Sequence, residues 1–185
     1  MLNTHLKTLH EIFYTGNDIA TSPYLQDKKS LAEALNEKEL LRKDWEMLIF
    51  RIPFKSKYSV RDFTDVSSRH SFCLLFSYKN LNDESCGILL SLSVPFRLIG
   101  YYYYQYISIS KNEVERKESY FPLELEMKRM EEKITYQVLN VFIDFNIFDA
   151  HLATTKIDQV LVDEKVFKNI DLWKVIFTEN LSILM

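Results

Sequence analysis

Apolar and polar positions alternate with the two-residue period of β-strands through the middle of the chain. In residues 71–79 the larger apolar side chains share one face, at Phe72, Leu74, Phe76 and Tyr78. In residues 88–94 they do so again, at Ile88, Leu90, Leu92 and Val94. A third strand is predicted over residues 101–110, and Pro95 and Gly100 fit the connection before it. The three strands predict a central antiparallel β-meander.

Before and after the meander in sequence, apolar residues recur with the three- and four-residue spacing of amphipathic helices. One helix is predicted over residues 2–15, and a second from Leu31, where Ser30 and Glu33 match a capping box, to near Ile49. After a polar connection at residues 111–119, a long helix is predicted from its apolar stripe, at Met127, Met130, Ile134, Val138, Val141 and Phe145. The second half of this helix is apolar nearly all round, which predicts cover on both sides.

The remaining segments complete the predicted fold. Residues 50–70 change period, and Pro53 restricts any strand there to the edge of the sheet. In the C-terminal part, Ile157, Val160 and Val162 predict a strand, whereas residues 172–177 fit a helix begun at Asp171 or a further strand. We therefore predict an α+β fold with N-terminal helices, the central antiparallel meander, a long helix packed on the sheet and a mixed C-terminal part. Residues 1–185 are expected to form a single globular domain.

Composition narrows the class of protein. Hydrophobic residues at 47% and only three glycines exclude a disordered or collagen-like chain. No apolar run approaches the roughly 18 residues of a spanning helix, and the N-terminus lacks a signal-peptide pattern, so we expect a cytoplasmic protein with no membrane partner. Residues 144–185 carry 7 acidic and 4 basic side chains, and the rest of the chain is balanced. This excess suits either a cationic partner or an ordinary solubilising surface.

Cys73 and Cys86 are too few for a disulfide framework or a four-ligand zinc site. A hairpin that turns near Asp83 would place Cys73 opposite residue 93 and the two thiols about 20 Å apart. We expect both thiols to be free. We expect no cofactor, because the chain has no phosphate-binding glycine pattern, metal-ligand spacing or nucleophile motif.

The tyrosines of the third predicted strand suggest a function. Tyr102, Tyr104 and Tyr106 share one face of the strand, and tyrosine suits both a binding surface and burial beneath a helix. We expect these tyrosines to bind a protein partner, such as a basic toxin domain, together with three acidic residues, Asp158, Asp163 and Glu164. The expected function is that of a non-catalytic inhibitor, by analogy with bacterial immunity proteins and antitoxins, and the analogy rests on composition.

Two other functions stay open at this point. Segment 51–61 interleaves aromatic residues with Arg51, Lys55, Lys57 and Arg61, a pattern that fits either nucleic-acid binding or protection of a sheet edge, and we favour the second. An enzyme could use His70, near Asp62 and Asp65, or His151, near Asp144 and Asp149, as a general base. No motif places a nucleophile beside either histidine, so structural or surface roles are favoured for both.

Overall fold

A computed structural model describes residues 28–52, 58–64, 71–110, 113–162 and 165–177 of the chain. At its centre lies an antiparallel meander of five strands in sequence order, β1 (Ser59–Asp62), β2 (Ser71–Lys79), β3 (Ser85–Ser93), β4 (Leu98–Ser110) and β5 (Glu113–Ser119). A short strand, β6 (Asn146–Ile147), pairs in parallel with the start of β4. The predicted α+β class and the central antiparallel meander are confirmed.

The helices and a second hairpin surround this sheet. They are α1 (Lys28–Arg51), α2 (Leu125–Val141), a 3₁₀ turn (Ala150–Leu152), the hairpin of β7 (Lys156–Val162) and β8 (Lys165–Asp171), and α3 (Leu172–Phe177). Both long helices pack on the same face of the sheet. The helix predicted over residues 2–15 lies outside the described residues.

The alternation predicted for the central strands is confirmed, because the predicted apolar face is the one buried beneath α1 and α2. This helix-side core includes Trp45 and Leu48 of α1, Phe72 and Leu74 of β2, Ile88 and Leu90 of β3, Tyr101 and Tyr103 of β4, and Met130 and Ile134 of α2. The indole ring of Trp45 stacks on Phe72 with centroids 5.0 Å apart, and its Nε1 donates a hydrogen bond to Asp62. α1 is thereby attached to both β1 and β2.

The register of the β2–β3 hairpin differs from the predicted one by two residues. Cys73 lies opposite Ser91, so the turn is centred on Asn82 and not on Asp83. Asn80 explains the shift, because its side-chain Oδ1 accepts hydrogen bonds from the backbone N–H groups of Asn82 and Glu84 and closes a short loop.

Both cysteines are free, as predicted; they are also buried, and they lie in different cores. Cys86 is paired across the ladder with Tyr78, five residues along β2 from Cys73, a separation of about 17 Å at ~3.3 Å per residue. Burial raises the pKa of the Cys86 thiol to about 11. We expect alkylation in denaturant without reductant to modify two cysteines, whereas the folded chain should react slowly. An unalkylated chain two protons lighter would contradict this arrangement.

The segment predicted as a polar connection, residues 111–119, was wrongly assigned. Residues 113–119 form β5, which pairs with β4 from Tyr103 to Ser110 across a register shift near Ser108. The side chains of β5 are mostly exposed and charged, so no apolar alternation marks it as a strand. β5 is defined by its backbone pairing with the long strand β4. Without β5, β4 would present an unpaired edge.

Three boundaries also differ from the prediction. α1 begins at Lys28, which places Ser30 inside the helix and not at its cap, and it runs to Arg51. The strand predicted from the change of period at Phe50 is wrong there, because α1 continues to Arg51 and the N–H of Ile52 still bonds to the carbonyl of Leu48 in helical fashion. The edge strand within residues 50–70 is β1. α2 ends at Val141, with Phe142 and Phe145 buried after it and Ile143 exposed to 83% of its surface. The expectation that its second half is covered on both sides is therefore wrong.

The stripe predicted for α2 is otherwise correct, and one acidic residue beside it makes stability depend on pH. Burial is the main cause that raises the pKa of Glu131, against the lowering effect of a hydrogen bond from Tyr103. A carboxyl group with a raised pKa in the folded state favours folding at low pH, and this advantage is lost as the pH rises through that pKa. We expect Glu131→Gln to gain stability relative to the unmodified chain between pH 4 and pH 7, as measured by urea unfolding at each pH. The same change at the exposed Glu115 measures the effect of removing a surface charge alone. A fall in the relative stability of the Glu131 variant over this range would contradict the assignment.

Candidate functional site

The described residues cover the second face of the sheet only in part. α3 and the 3₁₀ turn pack over one half, where Trp173 and Phe177 lie against Gly100 of β4. A Cβ atom added at Gly100 would lie 2.5 Å from a ring carbon of Phe177, so glycine permits this close packing. The result is a second core made mainly of Cys73, Leu89, Tyr102, Phe148, Leu172, Trp173, Ile176 and Phe177. The strand predicted around residues 157–162 is confirmed, and of the two alternatives left open for residues 172–177 the helix is the one observed.

Beyond α3, no helix among the described residues packs on the other half of this face. Ladder pairing aligns Ser59, Ser77, Gly87, Tyr104 and Glu118 in one row across the strands. A second row contains Lys79, Ser85, Tyr106 and Arg116. We call these two rows, with Arg61 of β1, the open tyrosine face. Between β1 and β4 it forms a shallow depression of about 630 Å³.

Tyr104 lies flat on this face because residue 87 is a glycine. A Cβ atom built on Gly87 would lie 2.2 Å from the ring of Tyr104, so any other residue would force the ring to move. The hydroxyl groups of Tyr104 and Ser77 are 3.3 Å apart and hydrogen-bonded. The ring is therefore held in place on both sides, by packing and by a polar contact.

Tyr106 packs edge-on against Tyr104, with ring centroids 5.5 Å apart, and keeps 38% of its surface exposed. Arg116 of β5 bridges the two rings, since its guanidinium carbon lies 5.5 Å from the centroid of Tyr104 and 5.8 Å from that of Tyr106. Cation–π contacts of this kind hold the arginine over the tyrosines. The two tyrosines and the arginine thus form one ordered cluster that contacts solvent.

The structure divides the predicted partner-binding residues. Tyr104 and Tyr106 lie on the open tyrosine face, but Tyr102 does not, because it is 4% exposed and packs against Trp173 and Tyr120. Its assignment to a binding surface was wrong for a physical reason: α3 covers the part of the face on which it lies. Asp163, Glu164 and the side chain of Asp158 lie outside the described residues, so their expected role stays a prediction.

Arg61 is the described member of the basic segment 51–61 that reaches this surface. It lines the depression together with Tyr104 and Tyr106. Arg51, at the end of α1, is exposed, and Lys55 and Lys57 lie outside the described residues. The basic segment and the tyrosine strand, which are far apart in sequence, therefore meet at Arg61.

A carboxylate network lies at the turn of the β2–β3 hairpin. Glu84 accepts hydrogen bonds from the side-chain amides of Asn80 and Gln105, and these bonds lower its pKa. The hydroxyl of Tyr78 donates to Glu124, 2.5 Å away, and burial followed by this carboxylate raises the pKa of Tyr78. Hydrogen bonds within the chain thus engage these acids. No group of three or more His, Cys, Asp or Glu side chains suited to a metal ion is found among the described residues.

The histidine of the C-terminal part is not oriented by the acids predicted beside it. Asp149 accepts a hydrogen bond from the backbone N–H of His151 and so caps the 3₁₀ turn, while Asp144 pairs with Arg97. The imidazole ring of His151 packs on Phe121, 5.0 Å between centroids. His70 and Asp65 lie outside the described residues. The described contacts of His151 are those of a structural residue.

Sequence reasoning missed Gly87, Arg116 and Lys79 as members of the surface. Gly87 gave a signal, since a glycine within a strand often marks a place where another group approaches the backbone closely. Arg116 gave none, because β5 was not predicted.

No helix among the described residues combines the length and the apolar character that crossing a bilayer requires. Comparisons of the chain with models of protein families, with curated proteins and with solved structures find no match.

Proposed function

We propose that this chain is a non-catalytic protein-binding protein and that the open tyrosine face is its binding surface. The observation that carries the proposal is the accessible cluster of Tyr104, Tyr106 and Arg116 on the half of the sheet that α3 leaves uncovered. Tyrosine and arginine are enriched where proteins bind each other, because each combines a large contact area with hydrogen-bonding groups.

The order of the cluster adds support. Gly87 and Ser77 hold the ring of Tyr104, and Arg116 contacts both tyrosine rings, so these side chains lose little conformational freedom when a partner binds. A surface fixed before binding gains more net affinity from the same contacts than a mobile one.

We propose further that binding occludes the partner, in the way that immunity proteins and antitoxins occlude toxins. This finer proposal, like a cytoplasmic location, rests on the sequence and not on a matched family. Its test is whether the isolated partner loses its own activity on forming a stoichiometric complex.

One observation favours nucleic acid as a second candidate partner. Arg61, Lys79 and Arg116 surround two tyrosine rings on an antiparallel sheet, and basic side chains around exposed aromatic rings also suit single-stranded nucleic acid. The two candidates differ in salt dependence, since phosphate contacts weaken steeply as salt rises.

Site-specific photo-crosslinking tests the proposed function. Benzoylphenylalanine replaces Tyr106 in one version of the chain and Tyr136 in another, and both are irradiated in the cells that produce the chain. Tyr136 is a matched control because it is 66% exposed and lies on α2. This helix packs on the face of the sheet opposite the open tyrosine face. We expect a protein adduct of defined mass from position 106 and none from position 136. Equal adducts at both positions, or none at 106, would contradict the proposal, and an adduct removed by nuclease would support nucleic acid instead.

A further inference from the structure

The open tyrosine face is basic, although the chain as a whole carries a net charge of −3. Three cationic side chains lie on it, from Arg61 of β1, Lys79 of β2 and Arg116 of β5. Two acidic groups accompany them: Glu118 lies 2.7 Å from Nε of Arg116, and Asp83 lies 3.4 Å from Nζ of Lys79. Among the described residues, no carboxylate pairs with Arg61.

Both arginines keep hydrogen-bonding capacity. Nε of Arg116 is buried 2.7 Å from Glu118, so the terminal N–H groups of this arginine are the ones that a partner could reach. The guanidinium groups of Arg61 and Arg116 make no side-chain hydrogen bond to a described residue. An arginine in this state can bind a carboxylate through two parallel N–H donors, which is the strongest arrangement open to it.

The positions of the arginines set the size of the element that could engage both. β1 and β5 are four strand spacings apart, about 19 Å, and the row of Arg116 lies about 13 Å along the strands from that of Arg61. This diagonal of about 23 Å between backbone positions sets an upper limit of about seven residues of extended chain, because the guanidinium group of Arg116 reaches back over Tyr104 and Tyr106. Such a segment would pass over Tyr104 and Tyr106 between the two arginines.

We infer that the partner presents an acidic segment of up to about seven extended residues, with carboxylates near its two ends and an apolar side chain between them that packs on Tyr106. The inference rests on the proposed function and deepens it. The inferred partner segment is negatively charged, whereas the acidic C-terminal part of the chain led us to expect a basic partner. The difference arises because the charges of this surface, and not the net charge of the chain, decide what binds here.

Selection from a library of random peptides displayed on phage tests the inference with a defined probe. The intact chain is the target, and peptides that it retains are synthesised and titrated against three variants. Arg61→Glu and Arg116→Glu should each weaken binding at least 10-fold, whereas Lys168→Glu, a charge reversal at an exposed site on β8, should leave it unchanged. Thermal melts of the variants confirm that each is folded. The selected sequences should be enriched in Asp and Glu.

The outcomes separate this inference from the proposed function. Basic or neutral peptides that depend on Tyr106 but not on the arginines would overturn the acidic segment and leave the protein-binding function standing. Retention of no peptide at all would contradict both. Binding of a 15-nucleotide oligothymidylate that both charge reversals abolish would overturn the inference in favour of nucleic acid.

Discussion

Replacing Ile134 with alanine should lower the free energy of unfolding by roughly 2 to 5 kcal/mol, the range found for other buried residues of this size. Ile134 has no exposed surface and lies at the centre of the buried stripe of α2, with Met130 one turn before it and Val138 one turn after it. The shortened side chain would leave a cavity between the helix and the sheet, which close packing on both sides prevents from collapsing. Urea unfolding measures the loss.

Tyr136→Ala is the matched control for this experiment. It truncates a larger side chain on the same helix, but Tyr136 is 66% exposed. It should change stability by no more than about 0.5 kcal/mol. A loss below that size at Ile134 would mean that α2 does not pack on the sheet through this face.

Tyr106→Ala should weaken binding of the partner by about 2 kcal/mol or more, which is a factor of about 30 in affinity. The ring of Tyr106 has Tyr104 and Arg116 on its flanks, so a partner that covers it completes a desolvated contact around an aromatic side chain. Stability should change little, because Tyr106 is 38% exposed and lies at the end of the region that β4 shares with β3.

Isothermal titration calorimetry measures this effect. The free partner, identified by photo-crosslinking, is titrated into each variant. Tyr136→Ala serves as the control again and should bind as the unmodified chain does. If Tyr106→Ala unfolds the domain, or if it binds with unchanged affinity, the open tyrosine face is not the binding surface.

The strands β2 and β3 and the stripe of α2 could be predicted from the sequence because their burial is complete. Phe72, Leu74, Ile88 and Leu90 have no exposed surface, and every position of β2 and β3 on the face toward the long helices is apolar from Phe72 to Tyr78 and from Cys86 to Leu92. In β5 the backbone pairs equally well, but its side chains face solvent, and the sequence carries no period to detect. Strand prediction from alternation therefore succeeded where at least one face is buried and failed where neither is.

The candidate site could be predicted only in part. The shared face of Tyr102, Tyr104 and Tyr106 follows from alternation along one strand, but the point at which α3 stops covering that face separates Tyr102 from the other two. The contacts of Tyr104 with Gly87 and of Tyr106 with Arg116 depend on the register of three strands. A register is set by loops such as the one that Asn80 closes, and it was two residues from the predicted one.

Hydroxyl-radical footprinting of the complex tests most directly whether a partner covers the open tyrosine face. Radicals oxidise tyrosine rings that solvent can reach. Mass spectrometry compares the oxidation rates of Tyr106 and Tyr136 within one molecule, with and without the partner that photo-crosslinking identifies. We predict that the partner suppresses oxidation of Tyr106 and leaves that of Tyr136 unchanged, since the two residues lie on different elements and both are exposed in the free chain. Undiminished oxidation of Tyr106 in a stoichiometric complex would show that the partner binds elsewhere and would contradict the account.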